Sequence, residues 1–98
     1  MAKGDVVLGR ASGGEPIVRR VWAEEGDKVV ITHEDYYKRW QNQKVDPWTF
    51  ALEKSNVFKH DEQLFQELTT AYRQKRQGAV SADAELDKLW AQAKPYRQ

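Results

Sequence analysis

The chain predicts an α+β fold, with a three-stranded antiparallel β-meander followed by three to four helices packed on one of its faces. Three observations lead there. The only strongly β-forming stretch is Ile17–Thr32, where two β-branched runs flank the turn Glu24-Glu25-Gly26-Asp27, the pattern of a β-hairpin. A shorter β-prone run, Val6-Val7-Leu8, precedes it, and a third strand lifts a hairpin above marginal stability. After Thr32 the chain carries helical spacing and helix-start signals. At 98 residues it has room for one domain, with the sheet in about residues 5–32 and the helical part in about 33–94.

The first strand falls within Lys3–Ala11, and Ser12-Gly13-Gly14-Glu15-Pro16 is a loop by composition. The glycines of Gly9–Gly14 are read as turn formers. No Lys-Ser/Thr ending and no helix follow them, as a phosphate-cradling loop requires. In the hairpin, a three-residue turn (Glu24-Glu25-Gly26 or Glu25-Gly26-Asp27) puts Ile17, Arg19, Val21, Ala23, Val29 and Ile31 on one face. Val18, Arg20, Trp22, Glu24, Lys28, Val30 and Thr32 take the other. The first, nearly all apolar, is expected to lie on the helices. A two-residue turn at Gly26-Asp27 is the alternative. It would set Trp22 opposite Ile31. Arg19 and Arg20 point to opposite faces, so they do not form a single phosphate clamp.

The first helix is expected to start at Thr32 or His33, at the head of the helix-like run His33–Gln43, with Thr32 able to cap it and Asp35 approximating a capping box. Its apolar stripe, Tyr36, Tyr37 and Trp40, is aromatic rather than aliphatic. After a polar linker, Gln41–Val45, the pair Asp46-Pro47 signals a helix start, and a short helix is expected from Pro47 to about Lys54. Val57-Phe58 then leads into the longest helix, about Asp61 to Gln77. Asp61 is its cap, and Leu64, Phe65, Leu68, Ala71 and Tyr72 stand at amphipathic spacing. Arg73, Lys75 and Arg76 suit its C-terminal dipole, and Gly78 ends it. The last helix runs from Ser81 or Ala82 to about Lys94, with Ser81 as cap and Leu86, Leu89, Trp90 and Ala93 as its stripe. Pro95 stops it, leaving Tyr96-Arg97-Gln98 as a tail.

Composition narrows the function classes. Sixteen basic against fifteen acidic residues leave a net charge of +1, too little for a global field that pulls the chain onto nucleic acid or an anionic membrane. There is no Cys, hence no disulfide, thiolate metal site or Cys nucleophile. His33 and His60 are the only histidines and have no metal-ligand spacing. No catalytic constellation and no cofactor motif is present. No apolar run is long enough to span a bilayer, and the N-terminus lacks a signal-peptide core, so a cytoplasmic location is expected. Small size, a start Met and the lack of Cys fit a bacterial or phage accessory protein.

The positive signal is the aromatic load: four Trp, four Tyr and three Phe. The expected function is a small non-enzymatic binding module acting on a protein partner through Arg20, Trp22, Tyr36, Tyr37, Arg39 and Trp40, residue types that dominate interface hot spots. The alternative is nucleic-acid binding through a local basic and aromatic patch drawing on Arg19, Lys38, Arg73, Lys75 and Arg76. Self-association is a third possibility. A major-groove role for the last helix is disfavoured, because Asp83, Glu85 and Asp87 at its start would meet phosphate.

Overall fold

The computed structural model describes residues 2–96. It is α+β, with a five-stranded antiparallel sheet and three α-helices. The strands are β1 (Val6–Arg10), β2 (Pro16–Glu25), β3 (Lys28–Thr32), β4 (Thr49–Glu53) and β5 (Val57–Lys59), and the helices are α1 (Glu34–Gln43), α2 (Glu62–Arg76) and α3 (Ala82–Trp90). The sheet order is β4-β3-β2-β1-β5.

Two strands correct the sequence expectation. Pro47 to Lys54, expected as a short helix, contains β4, and Val57-Phe58, expected as a lead-in, belongs to β5. The sheet is therefore not confined to residues 5–32, and three strands become five. In β4, Phe50 pairs with Ile31 and Leu52 with Val29, whereas Thr49, Ala51 and Glu53 point to the opposite face. That period-2 alternation is a strand signal, which the helix-start pair Asp46-Pro47 outweighed.

The link from β4 to β5 shapes the whole sheet. The two edge strands are joined only by a 3-10 turn, Lys54–Asn56. Four residue steps reach at most ~14 Å, whereas four strand spacings in a flat sheet cover ~19 Å. The sheet must therefore curl towards a barrel. The curl gives the apolar face an interior of its own, a cluster of Val7, Ile17, Val21, Val29, Ile31 and Val57. This is the face expected to lie on the helices. The helices instead take the outer face, where Leu8 packs with Leu64, Leu68, Ala71, Leu86, Leu89 and Trp90. The close inner packing needs a glycine: a Cβ on Gly9 would stand 2.9 Å from Leu52 Cδ1 and 3.1 Å from Ile17 Cγ1.

The hairpin combines both expected registers. Next to the bend, Glu25 pairs with Lys28 and Ala23 with Val30, around a two-residue Gly26-Asp27 turn. Trp22 is then an extra residue, a β-bulge, and beyond it Val21 pairs with Ile31 and Arg20 with Thr32. The bulge moves Ala23 from the inner face, where it was expected, to the outer one.

The helices follow their stripes. Asp61 Oδ1 accepts from Leu64 N at 3.0 Å, capping α2 as expected. Ser81 gives α3 no side-chain cap, and α3 stops at Trp90, short of Lys94. The chain then runs along the free side of β5. Lys59 N donates to Lys94 O at 2.8 Å and Tyr96 N to Val57 O at 3.3 Å. The Tyr96 hydroxyl donates to Asp5 Oδ2. Burial, then that bond, pushes the Tyr96 phenol up to about 12. Arg97 and Gln98, the rest of the expected tail, lie outside the described residues.

The two cores carry separate expectations. Leu68→Ala, in the fully buried outer-face cluster, should cost about 2–5 kcal/mol. Gly9→Ala should cost about 1–3 kcal/mol by overpacking the inner one. Urea unfolding followed by circular dichroism measures both.

Candidate interaction surface

The segment between β3 and β4 carries most of the expected partner-binding residues. Its helix, α1, is capped by His33, whose Nδ1 accepts from Asp35 N at 3.1 Å, and not by Thr32. Thr32 is fully buried, and its hydroxyl donates to Trp48 O at 2.7 Å. At the other end Lys44 adopts a left-handed φ of 59°, with its N–H donating to Trp40 O at 2.8 Å. This reversal sends residues 45–48 back beside the helix and into β4.

Residues three apart share a helix face, so the aromatic stripe of α1 divides. Tyr37 and Trp40 turn toward the sheet. Tyr37 is buried; its ring lies 5.5 Å from Trp40, and Trp40 meets Trp22 edge-on at 4.9 Å. Lys3 Nζ sits 3.7 Å over the Trp22 ring, and Lys44 Nζ lies 5.5 Å from Trp40. The packing also explains Gly4, where a Cβ would stand 2.5 Å from the Tyr37 hydroxyl oxygen.

Arg20 belongs to this packed side. Its Nε and Nη2 donate to the two Glu34 oxygens at 2.5 and 2.9 Å, and Nη1 donates to Gly4 O at 2.7 Å. The fork ties β2 to the first turn of α1 and to the N-terminal turn. The Arg20 hydrogen bonds hold the Glu34 carboxyl below its ordinary 4.5.

Tyr36 and Arg39 turn the other way. With Pro47 and Trp48 they line a cavity of about 200 Å³. The Tyr36 and Trp48 rings lie 6.4 Å apart, tilted by 53°, and His33 lies 5.7 Å from Tyr36. Trp48 is 81% exposed and Tyr36 42%. Arg39 is exposed and forms no ion pair among the described residues. Phe50, 44% exposed, follows in β4. Of the six expected partner-binding residues, Tyr36 and Arg39 thus face solvent together. Trp22 and Trp40 are half-buried in the ring cluster, Arg20 is engaged in its fork, and Tyr37 is buried. Trp48 falls inside the segment expected as a short helix, Pro47 to about Lys54, and lies instead just before β4. Its pairing with Tyr36 depends on the return of the chain after Lys44, which local spacing does not encode.

The alternative cationic set is spread over three elements. Arg19 is half-buried on β2 and donates to Val18 O at 2.9 Å. Lys38 on α1 pairs with Glu34 at 3.7 Å. Lys75 on α2 pairs with Asp83 at 3.1 Å and donates to Gly13 O at 2.8 Å. Arg73 and Arg76 are exposed near the end of α2.

A larger cleft of about 500 Å³ is walled by the Ala11–Gly14 loop, β4 and α3. Its charges are already matched, with Arg10 3.5 Å from Asp87 and Lys28 3.6 Å from Glu53. Among the described residues, no group of three or more His, Asp or Glu is placed to hold a metal ion, and no helix is long and apolar enough to cross a membrane. No family model, curated protein or solved structure matches the chain.

Folding lowers the Glu34 pKa, so the Arg20–Glu34 contribution to stability is complete above pH 4.5. It is lost as pH falls through the depressed value. The melting temperature of wild type should therefore exceed that of Glu34→Gln at neutral pH. The gap should narrow as pH drops below 4.5, as thermal melts at successively lower pH would register.

Proposed function

We propose that the chain is a small non-enzymatic binding module that holds a protein partner on the surface formed by Tyr36, Arg39 and Trp48. The observation that carries this reading is Trp48 itself. Its backbone is tied down by the buried Thr32 hydroxyl, yet the residue is 81% exposed. A large aromatic ring on an anchored backbone loses little conformational freedom on binding, and Trp, Tyr and Arg are the types enriched at hot spots. Of the residues expected from the sequence, Tyr36 and Arg39 keep this role. Trp22, Trp40, Tyr37 and Arg20 support the surface from beneath by fixing α1 on β2.

Selection of binders from a random twelve-residue peptide library displayed on phage tests the reading. Enriched peptides should bind Trp48→Ala at least tenfold more weakly, about 1.4 kcal/mol, and bind Trp90→Phe, altered in the helical core, as they bind wild type. Peptides indifferent to Trp48→Ala would remove the assignment. So would salt-sensitive binding of labelled single-stranded nucleic acid that survives Trp48→Ala, which would move the function to the cationic alternative.

A further inference from the structure

We infer that the partner docks as an extended, acidic segment that adds a sixth strand to β4 and seats an apolar side chain between Tyr36 and Trp48. The inference rests on the surface proposed above and specifies what occupies it.

The two edges of the sheet are treated differently. The β5 edge is covered by the chain's own residues 94–96, through the backbone bonds of Lys59 and Tyr96. Along β4, among the described residues, no other segment makes a backbone hydrogen bond to the outer side; Ala51, Leu52 and Glu53 open instead on the cleft of about 500 Å³ shared with the Ala11–Gly14 loop and α3. Exposed edges are ordinarily blunted by Pro, Lys, bulges or inward charges. Thr49-Phe50-Ala51-Leu52-Glu53 has none of these. Its one charge stands at the end and is paired with Lys28 at 3.6 Å. Such an edge offers main-chain donors and acceptors that only another extended backbone matches.

The cavity supplies selectivity beside that edge. Trp48 immediately precedes β4, so a segment paired with β4 passes the Tyr36–Trp48 cavity at one end. A cavity of about 200 Å³ takes one apolar side chain. Arg39 is its only charged lining residue, and without an ion pair among the described residues its guanidinium calls for a carboxylate on the incoming segment. A second copy of this chain is the weaker occupant. A five-residue edge by itself falls short of the roughly 1,000 Å² expected of a stable interface, and the acid it would bring, Glu53, is already paired.

The test uses the full chain, labelled with ¹⁵N, and amide-capped nine-residue peptides of alternating threonine and valine. Their central step is leucine–glutamate or glutamate–leucine, and control peptides carry lysine in place of glutamate. One acidic peptide should shift the Trp48 indole resonance and slow hydrogen exchange of β4 amides by tenfold or more at saturation. Affinity should fall at least tenfold for the lysine control and for a peptide N-methylated at alternate residues. Arg39→Glu should reverse the preference for acid over lysine.

If the indole shifts but β4 exchange is unchanged and the N-methylated peptide binds equally well, strand addition is overturned while the surface reading stands. If β4 protection appears without peptide and grows with protein concentration, the occupant is a second copy and the inference falls. If no peptide perturbs Trp48 at millimolar concentration, the inference also falls; the surface reading is lost as well only if the library binders prove indifferent to Trp48→Ala.

Discussion

The three-residue link Lys54–Asn56 governs how the sheet bends and what each of its faces can bury. It joins the two edges of a five-stranded sheet over a distance that a flat sheet cannot offer. Curling follows, and with it a division of labour between the faces. The inner face buries Val7, Val21, Val29, Ile31 and Val57 against one another, and the outer face is left to receive α2 and α3 through Leu8. A chain of this length would struggle to cover both faces of a flat five-stranded sheet with three helices. Curling solves the problem with the strands alone. Gly9 records the cost of the close approach, since no side chain fits there without displacing Leu52.

The helix between β3 and β4 is organised from the same sheet. Its base is closed by one part-buried hydrogen bond, Thr32 hydroxyl to Trp48 carbonyl, and its first turn is fixed by the Arg20–Glu34 fork. Between these ties, helical periodicity sends Tyr37 and Trp40 inward and Tyr36 and Arg39 outward. The two arginines, alike in sequence, differ in what they touch. Arg20 has a carboxylate and a backbone carbonyl as partners and acts as a strut. Arg39 lines an aromatic cavity and forms no ion pair among the described residues.

Elements whose local signals agree with their packing were legible from the sequence. Leu64, Leu68 and Ala71 repeat on one face of α2, and Asp61 caps it. The β-branched runs of the hairpin gave β2 and β3, and Ile17, Val21, Val29 and Ile31 were placed on one face, as found. β4 was not legible, because Asp46-Pro47 is a genuine helix-start pair and Thr49–Glu53 is too short for its alternation to outweigh it. The register needed both turn readings, since a bulge at Trp22 converts one into the other.

The α+β class, the hairpin, the helix stripes, the lack of cysteine and the aromatic character of α1 were all legible in the chain. These follow from residue type and spacing over one or two turns of chain. Tertiary structure alone decided which aromatics are core and which are surface. Tyr36 and Tyr37 are neighbours of identical chemistry, and only the sheet beneath α1 distinguishes them, burying one and leaving the other beside Trp48. It also decided which sheet face meets the helices, because that depends on the curl imposed by a link between strands that are adjacent in sequence and at opposite edges of the sheet.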